Sequence, residues 1–169
     1  PIVLEHSNSG WDVKSGSGGL VTALGSVLRR IGGHWIGWPG AASIDPTEME
    51  SLLTDYGNSV GFDLTPVHLS QDEIDGFYCG FSNEIIWPLF HDLQSRCNFV
   101  PEYWKKYLAV KEKFTDVVLR AVKPDDFVLV HDYHLMGLGR ELRLQGMANR
   151  IGYFLHIPFP PPDIFFKLP

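Results

Sequence analysis

Four polar, ionisable side chains follow two neighbouring apolar segments, at the point where each segment ends. His131, Asp132 and His134 come directly after the run Phe127–Val130, and His156 follows the next apolar run along the chain. A helix-like segment separates the two runs, which predicts a parallel strand–helix–strand unit. Ligands of parallel α/β sheets bind outside the carboxyl ends of the strands. We therefore expect these side chains to line one half of a binding cleft.

The chemistry of these residues favours sugar binding over metal binding. His131 and His134 are three residues apart, but no third metal ligand is evident, and Asp132 points elsewhere if the strand stays extended. The carboxylate of Asp132 is suited to accept hydrogen bonds from sugar hydroxyls. The alternative for either histidine is a structural role with satisfied hydrogen bonds. His156 precedes Pro158 in a turn typical of a strand-end binding site.

Gly18 and Gly19 lie where a loop enters a predicted helix. Glycines there let the backbone approach a ligand, and a helix N-terminus offers free amides and partial positive charge to a phosphate. There is neither a complete dinucleotide fingerprint nor a lysine-bearing P-loop. A flexible entry loop is the alternative interpretation.

Aromatic side chains are dense and could build either core or pocket: Trp35, Trp38, Tyr78, Phe81 and Trp87. Each taken alone is more typical of a core. Tyr78 and Trp87, however, flank an expected turn at 80–83, which favours a place beside a polar pocket. Rings that face sugar C–H surfaces, with a few fixed polar groups, are what a carbohydrate site needs.

The pattern of apolar residues predicts an α/β fold with a mainly parallel sheet flanked by helices. We expect a loop over 5–19. Strands are expected at 2–4, from His34 to a turn at Pro39, and at 64–69, 127–130 and 150–155. Helices are expected at 20–31, 46–54, from 71 with a break near 79–80 and resumption over 83–93, at 102–122, at 135–145 and after Asp163.

Length and composition restrict the class of protein. The 169 residues suggest one domain, and the net charge of −6 argues against a nucleic-acid surface. Cys79 and Cys97 form no disulfide framework or metal motif, so we expect reduced thiols. No apolar run approaches a membrane span and no signal peptide is visible, so we expect a cytoplasmic location. The chain starts at Pro1 without a methionine and stops after exposed aromatics, which suggests a piece of a larger protein.

Five segments, in this order, resemble the trehalose-6-phosphate synthase family, whose members are retaining glucosyltransferases of the two-domain GT-B type. They are Ser17-Gly18-Gly19-Leu20-Val21-Thr22-Ala23-Leu24, Trp35-Ile36-Gly37-Trp38-Pro39-Gly40, Gly80-Phe81-Ser82-Asn83 with Ile86-Trp87-Pro88-Leu89-Phe90-His91, Val130-His131-Asp132-Tyr133-His134-Leu135-Met136, and Phe154-Leu155-His156-Ile157-Pro158-Phe159-Pro160. The resemblance covers almost the whole chain.

The resemblance implies that residues 1–169 are a partial, Rossmann-like, acceptor-side domain, the N-terminal half of a GT-B fold. Pro1 resembles the last residue of the family's Asn-Arg-Leu-Pro motif. The family's second domain, which carries most nucleotide-sugar contacts and an Arg/Lys pair that stabilises the leaving phosphate, is absent from this chain.

The resemblance also implies roles for individual residues. Gly18 and Gly19 would approach the diphosphate of the donor, and His156 would contact its glucose. We therefore place Asp132 and His156 at the catalytic centre.

On the acceptor side, the resemblance implies that Tyr78 and Trp87 line the site, including its phosphate, and Trp38 is assigned to the same site. Asp132 would accept hydrogen bonds from the acceptor glucose.

The implied reaction moves glucose from UDP-glucose, or ADP-glucose, to glucose 6-phosphate with retention, without a metal or other cofactor. The isolated fragment should be inactive. Two alternatives stay open, a glucosylglycerol-phosphate synthase that uses glycerol 3-phosphate and a non-catalytic regulatory homologue. No nucleic-acid or membrane partner is expected, and the full-length protein is expected to form a homo-oligomer.

Overall fold

The computed structural model describes residues 2–7, 10–16 and 18–169. The chain divides into two compact units, one that ends at Ser70 and one that spans Gln71–Pro169. Each unit combines helices with a two-stranded parallel sheet. The prediction of an α/β fold with parallel strands is therefore confirmed at that level.

The first unit begins with an antiparallel hairpin and continues as an alternation of strands and helices. Its elements are β1 (Ile2–Ser7), β2 (Gly10–Ser15), α1 (Gly19–Ile31), β3 (His34–Gly37), α2 (Pro46–Val60) and β4 (Asp63–Pro66). β3 and β4 are parallel, with His34 opposite Asp63 and Gly37 opposite Pro66. The carboxyl ends of both strands therefore lie at one edge of this small sheet.

The hairpin corrects the prediction of a loop over 5–19. Leu4 pairs with Val13 across the two strands, and Leu4 is buried. Trp11 and Val13 pack against the buried cluster of this unit, which also includes Ile2. Apolar and polar residues alternate through this stretch, so one face of the hairpin covers a core. A polar, Gly-rich composition therefore did not mean a loop over this whole stretch; Asn8, Ser9 and Ser17 lie outside the described residues.

α2 is longer than the predicted helix over 46–54. The Oδ1 of Asp45 accepts hydrogen bonds from the amides of Thr47 and Glu48 at 2.9 and 3.2 Å, which caps the helix N-terminus. The buried face continues through Met49, Leu53 and Gly57. The helix ends only at Gly61, whose φ of 82° is the left-handed conformation of a C-terminal cap.

The second unit contains the following helices and strands: α3 (Gln71–Glu73), a π-helix (Ile74–Ile86), α4 (Trp87–Phe90), a 3₁₀ turn (Gln94–Arg96), α5 (Pro101–Ala121), β5 (Phe127–His131), a second 3₁₀ turn (Tyr133–Leu135), α6 (Leu138–Leu144), β6 (Arg150–Phe154) and α7 (Pro162–Phe165). β5 and β6 are parallel, with Phe127 opposite Arg150 and His131 opposite Phe154. The interior of this unit includes Ile86, Leu89, Val110 and Leu142, each 0% exposed.

The predicted helix break near Cys79 and Gly80 is wrong. α3, the π-helix and α4 follow one another without interruption from Gln71 to Phe90. A Cβ at Gly80 would lie 2.6 Å from Cγ of Tyr103, and one at Gly76 would lie 2.5 Å from Cγ of Lys106. The glycines therefore permit close packing against α5, and they do not end the helix.

The remaining boundaries differ in smaller ways. The expected helix over 135–145 begins only at Leu138, because a 3₁₀ turn over Tyr133–Leu135 follows β5. β4 ends at Pro66 and not at Leu69, and α7 is the short helix expected near Asp163. Within the described ranges no helix has the length and apolar composition needed to cross a membrane.

Candidate functional site

β5 and β6 bring three of the predicted site residues to the same edge of their sheet. His131 is the last residue of β5, and the amide of Asp132 donates to the carbonyl of Phe154 at 2.8 Å. This bond extends the strand pairing by one step, so His156 lies only two residues beyond the paired end of β6. The prediction that these side chains follow adjacent strand ends is confirmed.

Asp132 joins the two strand ends through its carboxylate. Its Oδ1 accepts a hydrogen bond from the amide of Tyr133 at 2.9 Å and a longer one from the amide of His156 at 3.4 Å. The other carboxylate oxygen makes no hydrogen bond within the described part of the chain, and thus keeps its capacity to accept from a ligand. The φ of Asp132 is 70°, a conformation that costs a non-glycine residue about 1–3 kcal/mol.

His131 and His156 form a pair of imidazoles. Nδ1 of His131 lies 3.0 Å from Nε2 of His156, and the rings are stacked with centroids 5.3 Å apart. Burial lowers the pKa of His131, the charge of His156 lowers it further, and Asp132 opposes both effects. One proton must lie between the two nitrogens, so the pair contains one donor and one acceptor.

His134 lies between two tyrosine rings. It stacks on Tyr78 with centroids 5.3 Å apart and on Tyr133 with centroids 4.1 Å apart. Burial lowers the pKa of His134 to about 4, against the opposing effect of Asp132, so the imidazole is neutral at physiological pH. Its Nε2 is buried and has no hydrogen-bond partner among residues 2–7, 10–16 and 18–169. His134 therefore supports the ring of Tyr78.

Tyr133 contacts both Asp132, through its amide, and His134, through its ring. Its hydroxyl donates to Asn83 at 2.9 Å, and its carbonyl accepts from the hydroxyl of Tyr107 at 3.1 Å. Burial, followed by the charge of Asp132, raises the pKa of Tyr133 to about 12. Its hydroxyl therefore stays protonated and acts only as a hydrogen-bonding group.

The ring of Trp87 is supported by a different residue, His91. The two rings stack with centroids 4.2 Å apart, and Nδ1 of His91 donates to the carbonyl of Trp87 at 2.7 Å. Trp87 and Tyr78 are each 39% exposed. The two residues lie on one continuous helical segment, but the contacts of Trp87 do not include Tyr78 or Asp132 in the portion of the chain described.

Gly18, Gly19 and Trp38 belong to the first unit. Gly18 has a φ of 122°, and its carbonyl accepts from the amide of Thr22 at 3.1 Å at the start of α1. A Cβ at either glycine would meet no atom within 4 Å, so packing among the described residues requires glycine at neither position. Nε1 of Trp38 donates to the carbonyl of Ala41 at 3.2 Å, directly after β3.

Sequence reasoning placed His131 and His134 at the cleft but did not predict the contacts by which three histidines support other site residues. His91, His131 and His134 each contact a residue that was predicted to bind a ligand. The four-residue spacing of Trp87 and His91 could have indicated the first contact on a helix. No group of three or more side chains suited to hold a metal ion occurs in the described ranges.

A family model and known relatives match this chain. The model for glycosyltransferase family 20 matches residues 3–169. Trehalose-6-phosphate synthases of Cronobacter sakazakii and Klebsiella pneumoniae are 39% and 40% identical over 158 residues, which cover 94% of this chain and 32% of each relative. The Salmonella arizonae synthase is 37% identical over 168 residues, or 99% of this chain and 34% of the relative. The chain thus spans about a third of the length of the curated relatives it matches.

Solved structures that are similar to this chain are of the same kind of enzyme as these relatives. A structure from E. coli bound with UDP-2-fluoro glucose is 34% identical, has a TM-score of 0.76, and is matched over 94% of this chain and 34% of its own. The α,α-trehalose-phosphate synthase (UDP-forming) of Burkholderia xenovorans, in complex with glucose-6-phosphate, is 29% identical with a TM-score of 0.74, over 90% of this chain and 33% of its own. Since the family model covers nearly every residue, the chain belongs to glycosyltransferase family 20.

Proposed function

We propose that this chain provides the acceptor side of a retaining glucosyltransferase that makes trehalose 6-phosphate from a nucleotide-glucose donor and glucose 6-phosphate. The observation that carries the proposal is the juxtaposition of Asp132 and His156 at the ends of β5 and β6 in a member of this family. The relatives named as trehalose-6-phosphate synthases support the same reaction.

The proposal includes the domain organisation. Residues 1–169 form part of a Rossmann-like N-terminal domain of a GT-B fold, and a nucleotide-sugar-binding domain lies outside this chain. Support comes from TM-scores near 0.75 with structures of which this chain covers about a third.

On the donor side, Gly18 and Gly19 approach the diphosphate and His156 contacts the glucose. The bound UDP-2-fluoro glucose of the E. coli structure supports UDP-glucose as the donor, with ADP-glucose as the other candidate. At Gly18 the φ of 122° favours glycine, and no local packing explains glycine at Gly19. Close approach of a ligand to the backbone would explain both glycines.

On the acceptor side, Asp132 accepts hydrogen bonds from the glucose of glucose 6-phosphate through the carboxylate oxygen that the fold leaves unpaired. Tyr78, Trp87 and Trp38 line the acceptor site. The Burkholderia xenovorans structure in complex with glucose-6-phosphate supports this acceptor. Stacking of Tyr78 on His134 and of Trp87 on His91 would hold both rings ready for the sugar phosphate.

Transfer with retention occurs on one face of the donor glucose, and the main demand is stabilisation of the departing diphosphate. Asp132 and His156 orient the two sugars against each other, which lowers the entropic cost of the reaction. No resident metal or other cofactor is part of the proposal.

The test is nucleotide diphosphate release by the full-length parent protein. UDP-glucose and ADP-glucose are each offered with glucose 6-phosphate or glycerol 3-phosphate. We expect release that depends on glucose 6-phosphate. Release with glycerol 3-phosphate instead would identify a glucosylglycerol-phosphate synthase, and silence with all four pairs would identify a regulatory homologue. Sedimentation analysis of the same preparation tests the proposed homo-oligomer.

A further inference from the structure

The pair formed by His131 and His156 carries an inference about catalysis. We propose that His131 is a positioning residue for glucosyl transfer: the hydrogen bond between its Nδ1 and Nε2 of His156 holds the ring of His156, which leaves Nδ1 of His156 to bind the donor. This inference rests on the proposed function, because it assigns a supporting residue to the same site.

The backbone fixes the Cα positions of the two histidines. It does not fix the orientation of the ring of His156. His131 ends β5, opposite Phe154 of β6. The backbone amide of His156 reaches Oδ1 of Asp132 at 3.4 Å, and this contact does not involve the ring of His156. Only His131 makes a hydrogen bond with the ring of His156 in the described part of the chain, at 3.0 Å.

The distance of 3.0 Å between Nδ1 of His131 and Nε2 of His156 places one proton between the two nitrogens, and either ring can donate it. His131 is partly buried, and burial, followed by the charge of His156, lowers the pKa of its imidazole, whereas Asp132 opposes both effects. In either tautomer the bond holds the ring of His156 and leaves its Nδ1 outside the pair.

Few other charged groups contact this pair. In the described part of Gln71–Pro169, Asp132 is the charged residue recorded against both histidines, through its contact with the His156 amide and its charge effect on His131. Phe154, from β6, packs on both rings and is apolar. Asp132 raises the pKa of His131 against the effects of burial and of His156, and Phe154 gives both rings an apolar contact.

The experiment compares two substitutions in the full-length parent protein. His131→Phe keeps a ring of similar size but removes Nδ1. His131→Asn keeps an amide that can occupy the place of Nδ1 and thus rescues the hydrogen bond. His34→Phe is the matched control. His34 is exposed and lies at the amino end of β3, away from the carboxyl edge of that strand. For each protein, kcat and KM for donor and acceptor are measured across pH, together with Tm.

We expect His131→Phe to lower kcat/KM for the donor about tenfold or more, with KM for glucose 6-phosphate within about twofold of wild type. The loss should fall on the donor and not on the acceptor, because His156 is the residue proposed to contact the donor glucose. His131→Asn and His34→Phe should behave nearly as wild type.

The outcomes separate this inference from the proposed function. An active wild-type enzyme with an unchanged His131→Phe profile overturns the role of His131 alone. An equal loss of kcat/KM for donor and acceptor in His131→Phe shows that His131 does not act through the ring of His156 and overturns the proposal. Equal losses of Tm and activity in both His131 variants show a merely structural role. A wild-type protein that is silent with every donor and acceptor overturns the proposed function, and this inference with it.

Discussion

Asp132 has one role in the fold and a second, proposed role in binding. Oδ1 satisfies the amides that follow both strands, whereas the other oxygen remains able to accept from a sugar. The residue adopts a φ of 70° to do so. A side chain that is held this firmly before substrate arrives loses little entropy on binding, which is the benefit of preorganisation.

Substitution of Asp132 should separate its two roles. In the full-length protein, Asp132→Asn keeps an oxygen for the Tyr133 amide but removes the charge, so we expect Tm within about 3 °C of wild type. Each lost charge-assisted hydrogen bond to the acceptor is worth about 1.5–3 kcal/mol, which corresponds to about a 10- to 150-fold loss in kcat/KM for glucose 6-phosphate. Asp132→Ala should lose the same activity and also stability. Unchanged acceptor kinetics in both variants would show that Asp132 does not bind the acceptor.

His134 should make stability depend on pH. Its pKa falls from 6.5 in the unfolded chain to about 4 in the folded one, so between these values the unfolded chain binds more protons. The contribution of the neutral ring is therefore complete above about pH 6.5 and is lost as pH falls toward 4. The full effect is at most about 3 kcal/mol.

His134→Phe should remove this dependence, because phenylalanine can stack between Tyr78 and Tyr133 without a proton to gain. At pH 7 the variant should be as stable as wild type or more so, since the unpaired Nε2 is gone. Urea unfolding at pH 7 and pH 4.5 measures both effects. An equal loss of stability on acidification in variant and wild type would contradict the assignment.

At the scale of elements, predictability depended on whether a pattern had one interpretation. The strands β5 and β6 stood out, since apolar runs that stop at polar residues are unambiguous. The hairpin was missed because serine and glycine suggest a loop unless the alternation of Leu4, Trp11 and Val13 is weighed against them. The π-helix was missed because glycine indicates a break from sequence alone, and only tertiary packing shows another use.

The residues of the site, like the helices and strands, could be predicted only in part. Asp132 and His156 were found because their place after a strand is a sequence property. The support of Tyr78 by His134 and of His156 by His131 was not found, because both contacts depend on ring orientations that spacing does not determine. The pairing of His131 with His134 as metal ligands was disfavoured from sequence, and the structure gives the two histidines different partners.

Packing of the π-helix on α5 predicts the effect of adding single methyl groups. Gly80→Ala would place Cβ 2.6 Å from the ring of Tyr103, a contact that backbone or ring must relieve. We expect a loss of about 1–3 kcal/mol in the free energy of unfolding. Gly139→Ala in α6 is the matched control, because its Cβ would lie 3.6 Å from Cγ2 of Ile151, an ordinary contact.

The control should be neutral or stabilise by up to about 1 kcal/mol, the difference in helix propensity between the two residues. Denaturant unfolding of both variants measures the contrast. Equal stabilities would show that the glycine at position 80 is not required by packing, and would restore the interpretation of Gly80 as a flexible point in the helix.

At the scale of the whole molecule, charge limits what residues 1–169 can do alone. A departing nucleoside diphosphate needs positive charge or preorganised donors nearby, and removal of one such donor typically costs about 10²–10³-fold in rate. Among the described residues, the hydrogen-bond, ring and charge partners of Asp132 and His156 include no Lys or Arg: they are His131, Tyr133, His134, Leu135, Tyr153 and Phe154. Purified residues 1–169 should therefore release diphosphate from UDP-glucose and glucose 6-phosphate at least about 10³-fold more slowly than the full-length parent protein, with circular dichroism as the control for folding. A folded fragment with comparable turnover would mean that the positive charge comes from within this chain, and the proposed division into an acceptor-side and a nucleotide-sugar-binding domain would be wrong.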